Sequence, residues 1–281
     1  MVDFVEAIKT PFNNVKILIA PFAIYFVILI LGAISGGFLD IANLVSIFLP
    51  EVGILLAGLA VVVAAVLGLV ILVLTLTVNG YLFGTMQNIL DKREIVKFQF
   101  SGILGYILRA IKGGIISFIY AIPGLVMLAI AAVIIFGGAI IGMLTGGNTQ
   151  ALVETAMASI FTAGLFAIPF VLLAILFLVI AGYLLPAAIS IWLKEDRMLA
   201  AFSFGRILKN VFKLDYLLSL IVTFLVNMLF GIIVFFVVGI IVFIVSLILP
   251  SVGSAISAFF SNLVSFIVAM ILYAMLAQTI Q

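Results

Sequence analysis

"ILLAGLAVVVAAVLGLVILVLTLTVNG" (54–80) carries no charged residue, and it continues as "YLFGTMQNILDKRE" (81–94), where Asp91, Lys92, Arg93 and Glu94 arrive together. A hydrocarbon layer about 30 Å thick is crossed by about 20 apolar residues in a helix. This run is therefore read as a transmembrane helix that ends at a wet, basic interface. The same ending returns about a hundred residues later, in "GYLLPAAISIWLKEDR" (182–197), which sets the frame for the whole chain.

Composition agrees with that frame. The chain is 68% hydrophobic and 8% charged, with a mean hydropathy of +1.59, whereas a soluble domain carries about 25% charged residues. Six stretches are long and apolar enough to span: 17–36, 54–80, 113–142, 157–185, 216–245 and 256–278. The apolar run 217–249 would be about 50 Å long as one straight helix, so a bend near Gly231 or Gly239 is expected. The N-terminal segment holds Asp3 and Glu6, and the run after it is long, so the first span reads as a retained helix rather than a cleaved signal.

The twelve basic residues fall in three places. Lys9 and Lys16 precede the first span; Lys92, Arg93, Lys97, Arg109 and Lys112 lie between spans two and three; Lys194, Arg197, Arg206, Lys209 and Lys213 lie between four and five. The connections around Asp40 and Glu51, around Glu154 and around Pro250 hold none. By the positive-inside rule both termini are then cytoplasmic, in a multi-pass protein of the cell membrane.

Other echoes point to an internal repeat. "AIK" stands at 7–9 and 110–112, with Lys213 as a third counterpart; "LPEVG" at 49–53 matches "LPSVG" at 249–253. Tyr81, Tyr183 and Tyr273 recur at the ends of even-numbered spans and read as interface anchors. The expected fold is all-α: one transmembrane domain over 1–281 with six helices, in three parallel two-helix units, 1–98, 99–199 and 200–281.

Each unit opens with an amphipathic segment. Val5, Ile8, Phe12 and Val15 share one face of the first, and Ile103, Leu104, Ile107, Leu108 and Ile111 mark the second. In the third, Phe204, Ile207, Leu208, Val211 and Phe212 stand against Arg206, Lys209 and Lys213. Two readings stay open: wetted ends of spanning helices, or interfacial helices whose cations meet lipid phosphates. On the second reading Lys9, Lys16, Arg109, Lys112, Arg206, Lys209 and Lys213 are the headgroup contacts.

"GYLLPAA" (182–188) followed by "AAFSFGRILK" (200–209), with "IYAIPG" (119–124) upstream, resembles a family of prokaryotic, mostly archaeal, integral membrane proteins classed as a domain of unknown function. The resemblance covers about 80–281 and is strongest at 182–209; "DKREIVKFQF" (91–100) departs from it in lacking a proline. It implies a multi-pass membrane protein and no catalytic residue.

Chemistry is sparse. With no Cys and no His, thiol nucleophiles, Ser-His-Asp triads and Cys/His metal sites are excluded by inventory. "GGNT" (146–149) lacks the lysine of a phosphate loop. Asp91/Glu94 and Glu195/Asp196 sit beside cations, as solvated charges do. Within spans Thr75, Thr77, Asn79 and Asn227 are the most polar groups, read either as helix-to-helix hydrogen bonds or as a substrate site. The glycine pairs Gly32/Gly36 and Gly80/Gly84, and the series Gly138/Gly142/Gly146, read as close helix contacts. The expectation is a non-enzymatic scaffold or accessory component with no cofactor and no nucleic acid, partnered by membrane lipids and a membrane protein. The alternative is a transporter or channel for a small apolar or amphipathic solute, which would gather Asn227, Thr75 and Asn79 in one chamber.

Overall fold

The computed structural model describes residues 2–13, 15–94, 97–145 and 149–279, with side chains at all of these except 138, 139, 141–145, 149–157 and 159. Among the described residues eight α-helices follow in order: α1 (Phe4–Asn13), α2 (Lys16–Phe48), α3 (Pro50–Leu90), α4 (Ile103–Thr145), α5 (Thr149–Glu195), α6 (Phe204–Val211), α7 (Leu214–Ser246) and α8 (Pro250–Thr279). Short 3-10 helices, Phe100–Gly102 and Met198–Phe202, precede α4 and α6. No strand occurs among the described residues. Helices α2, α3, α4, α5, α7 and α8 are long and apolar enough to cross a membrane, so this is an all-α, multi-pass membrane protein.

Several helices outrun the apolar stretches. α2 continues through Asp40 to Phe48, because nothing interrupts it before Leu49 and Pro50, and α3 runs past Gly80 to Leu90. The segment 103–112 is no separate helix but the first turns of α4, since no proline or cap parts it from the span. Prolines within α1, α2, α4 and α5 do not end those helices. Gly138, Gly142, Gly146, "GGNT" and Glu154 fall outside the described residues or side chains.

The chain forms two compact units, residues 1–113 with 190–281, and residues 114–189. In the second, α4 and α5 pair through small residues: a methyl on Gly124 would lie 2.6 Å from Leu178 Cγ and 3.2 Å from the Ala174 carbonyl.

In the first unit α8 is the hub, touching α1, α2, α3 and α7. One core joins Ile17 and Tyr25 of α2, Val78 and Tyr81 of α3, and Phe259, Phe266 and Met270 of α8. A second joins Val2 and Ala7 to Ile271, Ala274 and Met275. Lipid is as apolar as leucine, so close fit rather than expulsion from water holds such helices together. Gly32 and Gly36 supply that fit on α2: a methyl on Gly32 would lie 3.6 Å from Ala255, and one on Gly36 would overlap Ser251. Beside this contact Asp40 reaches α8, where the Ser251 N–H and hydroxyl each donate to its carboxylate at 3.0 Å. The first turn of a helix has unpaired N–H groups and a positive end, so the carboxylate acts as a cap from a neighbouring helix.

The "LPEVG" and "LPSVG" echoes become two matching turns. Leu49 N–H donates to Val45 and Gly53 N–H to Leu49, at 2.8 and 2.9 Å; Leu249 N–H donates to Val245 and Gly253 N–H to Leu249, at 2.9 and 3.1 Å. In each a proline opens the second helix, where its missing N–H costs nothing. In each the glycine lies against a serine of the first helix, Ser46 or Ser246, with no room for a methyl.

Gly80 lies against the Tyr106 carbonyl, and a methyl there would overlap it, whereas Gly68 has nothing within 4 Å. Gly80→Ala is therefore expected to cost about 1–3 kcal/mol through overpacking. Gly68→Ala is expected to be neutral or stabilising by up to about 1 kcal/mol. Thermal melts of the two variants in one detergent check the contrast.

Candidate functional site

Two features in the first unit bring polar chemistry together: its basic end, and a groove between α7 and α8. At the basic end α1 lies on the last turns of α8. Its buried face is Ala7 and Pro11, while Val5, Phe12 and the following Val15 stay exposed, so the expected apolar face is the outer one except for half-buried Ile8. The Asp3 carboxylate accepts from Glu6 N–H at 3.0 Å and caps α1, and the Gln278 side chain accepts from Asp3 N–H at 2.7 Å.

α6 divides its apolar residues in the same way. Ile207 and Val211 are buried in protein, while Phe204, Leu208 and Phe212 point outward, Phe212 at 80% exposure. The start of α4 presents a third outward stripe, Phe100, Leu104, Leu108 and Ile111. Large apolar side chains left bare beside cations, in three separate segments, match helices lying at the boundary of headgroups and acyl chains.

The seven cations expected at lipid headgroups divide into two sets. Lys9, Lys16, Lys112 and Lys209 are exposed and have no ion-pair partner among the described residues. The other three serve the protein. Arg206 makes a two-pronged ion pair with Glu195 and donates to Ser203 Oγ at 3.1 Å, and the carboxylate holds its guanidinium above the ordinary arginine value. Lys213 Nζ donates to the Thr279 carbonyl at 3.0 Å, closing the C-terminal end of α8. Arg109 is half-buried, lying over Gly84 with Nη1 2.8 Å from where a methyl would stand. The acidic pairs are engaged in part: Asp91 with Arg93 at 3.7 Å, Glu195 with Arg206.

The tyrosines differ from expectation. Tyr81 is buried, ringed by Phe98, Tyr106 and Phe266 at 5.4, 5.7 and 6.4 Å, and Tyr273 is buried in α8. Both are core residues rather than interface anchors: the start of α4 and the hub helix cover Tyr81, and Tyr273 lies on the buried face of the hub helix itself; Tyr183 is half-exposed.

The intramembrane polar groups are not gathered into one chamber. Thr75 and Asn79 are half-buried on α3, and Thr77, buried, donates to the Val73 carbonyl at 2.8 Å. Asn227 is exposed in a groove of about 310 Å³ lined only from α7 and α8, by Gly231, Val234, Ser257, Ser261, Val264 and Ser265. The one sequence signal for the serines is their spacing by four in "SAFFSNLVS" (257–265). Lone hydroxyls in apolar helices usually turn back onto their own backbone, and here these three do not.

Lys213→Met removes the donor that closes α8. Faster hydrogen exchange is expected over residues 275–279 with the rest of α8 unchanged, read by exchange mass spectrometry.

A family model described as "Protein of unknown function (DUF4013)" matches residues 65–243, more than half of the chain. No curated protein and no solved structure matches the chain. The chain therefore belongs to the DUF4013 family, whose function is not known.

Proposed function

We propose that the protein is a non-enzymatic scaffold or accessory component of the cell membrane, seated in the cytoplasmic leaflet by its basic end and holding anionic lipids there. The observation that carries this reading is the set of three outward apolar stripes, Val5/Phe12, Phe100/Leu104/Leu108 and Phe204/Leu208/Phe212, beside the unpaired Lys9, Lys16, Lys112 and Lys209. Such a surface places aromatic and aliphatic groups among acyl chains and ammonium groups at phosphate level. Each lysine near an anionic leaflet adds about 1 kcal/mol of attraction. Both termini are cytoplasmic on this reading, which the distribution of cations supports.

Transport would need polar groups converging on an enclosed path. Instead the first unit packs around α8, and Asn227 faces a lateral groove away from Thr75 and Asn79. That arrangement supports an accessory role over carriage of a solute.

Purification in a mild detergent, with every co-purifying lipid and protein identified by mass spectrometry, tests the proposal. Enrichment of anionic over zwitterionic lipid is expected, falling at least several-fold in the Lys9→Gln/Lys16→Gln/Lys112→Gln/Lys209→Gln variant. Equal lipid profiles in the two proteins would refute the lipid role.

A further inference from the structure

The α7/α8 groove goes beyond that reading. Its polar part, Asn227 with Ser257, Ser261 and Ser265, begins about 20 Å along α7 from Leu214 at 1.5 Å per residue, near the middle of that helix. It continues toward Ser246 as an apolar trough of about 500 Å³ walled by Val238, Val242 and Phe243 and floored by Gly231 and Gly239.

Two observations bear on this polar stripe, which lacks a hydrogen-bond partner among the described residues. First, Ser46, Thr77, Thr162, Ser219, Thr223, Ser254 and Thr279 each donate to a carbonyl three or four residues earlier. Ser257, Ser261, Ser265 and Asn227 make no hydrogen bond among the described residues, and all four are exposed. Second, the space above Gly231 is empty to 4 Å, so the floor is open to a close neighbour. Uncompensated hydroxyl and amide groups at membrane depth are costly. A phospholipid does not relieve that cost, since its polar part belongs at the surface while this groove is polar in the middle and apolar toward one end.

We infer that the groove binds the same groove of a second copy of this chain. Two copies inserted with one orientation can be related by a twofold axis only along the membrane normal. Each residue then meets its counterpart at its own depth, so the partner brings Asn227 and the three serines to the level where they are needed. Hydroxyls and a carboxamide both donate and accept, which makes the stripe complementary to itself. Serines spaced by four, opposite Gly231, also provide the small-residue surface on which helices approach closely.

The chain has no cysteine, so single cysteines report without interference. Ser261→Cys is compared with Leu225→Cys, which is exposed on the far side of α7 from Asn227, using a membrane-permeant oxidant on native membranes. A cross-linked homodimer is expected for Ser261→Cys at several times the Leu225→Cys yield. Gly231→Leu fills empty space, so the chain should stay folded while the dimer seen by light scattering in mild detergent is lost. Equal yields from the two cysteines, a wild-type monomer, or cross-linking of Ser261→Cys to a different protein would each overturn the inference.

Discussion

The structure of the first unit depends on one helix being touched from several sides. α8 carries buried Phe266, Met270, Ile271, Met275 and Leu276, against which α1, α2, α3 and α7 are laid. Inside a bilayer that burial is not driven by water, so the fit has to come from shape. Gly32 and Gly36 let α2 lie close along the start of α8, and Asp40 ties that contact with two hydrogen bonds to Ser251. At its other end α8 is held by Lys213 and by the Asp3–Gln278 pairing. A helix clamped at both ends gives the remaining spans a fixed surface to pack on.

The basic end follows from that clamp. With α1 held on the last turns of α8 and α6 leading into α7, both short helices are fixed to the bundle by a narrow inner face. What remains of each is an outer face of large apolar groups and lysines, which suits the layer between acyl chains and phosphates. Along α7 and α8 of the same unit, Asn227, Ser257, Ser261 and Ser265 stay exposed in a groove.

Much of this was legible in the sequence because the signals are local. Hydropathy marked all six spans, the cations gathered at one set of connections, and the Leu-Pro turns stood out as copies. Less was legible where a residue's role depends on what lies across from it. Asp40 read as a loop charge because its partner Ser251 is 211 residues away. Tyr81 and Tyr273 had the composition of interface anchors, and only the covering residues show them to be core. Ser257, Ser261 and Ser265 looked like ordinary small residues; their meaning rests on the direction of their hydroxyls and on Asn227 opposite, which spacing alone does not carry.

In the proposed topology the lysine-bearing segments share the cytoplasmic side while both Leu-Pro turns lie on the other. Single cysteines at Lys9, Lys209, Glu51 and Ile248 in this cysteine-free chain, labelled on intact cells with a membrane-impermeant maleimide, test it directly. With this topology positions 51 and 248 label from outside, and 9 and 209 label only after permeabilisation. Labelling of position 9 or 209 on intact cells, or protection of 51 and 248 there with labelling after permeabilisation, would contradict it.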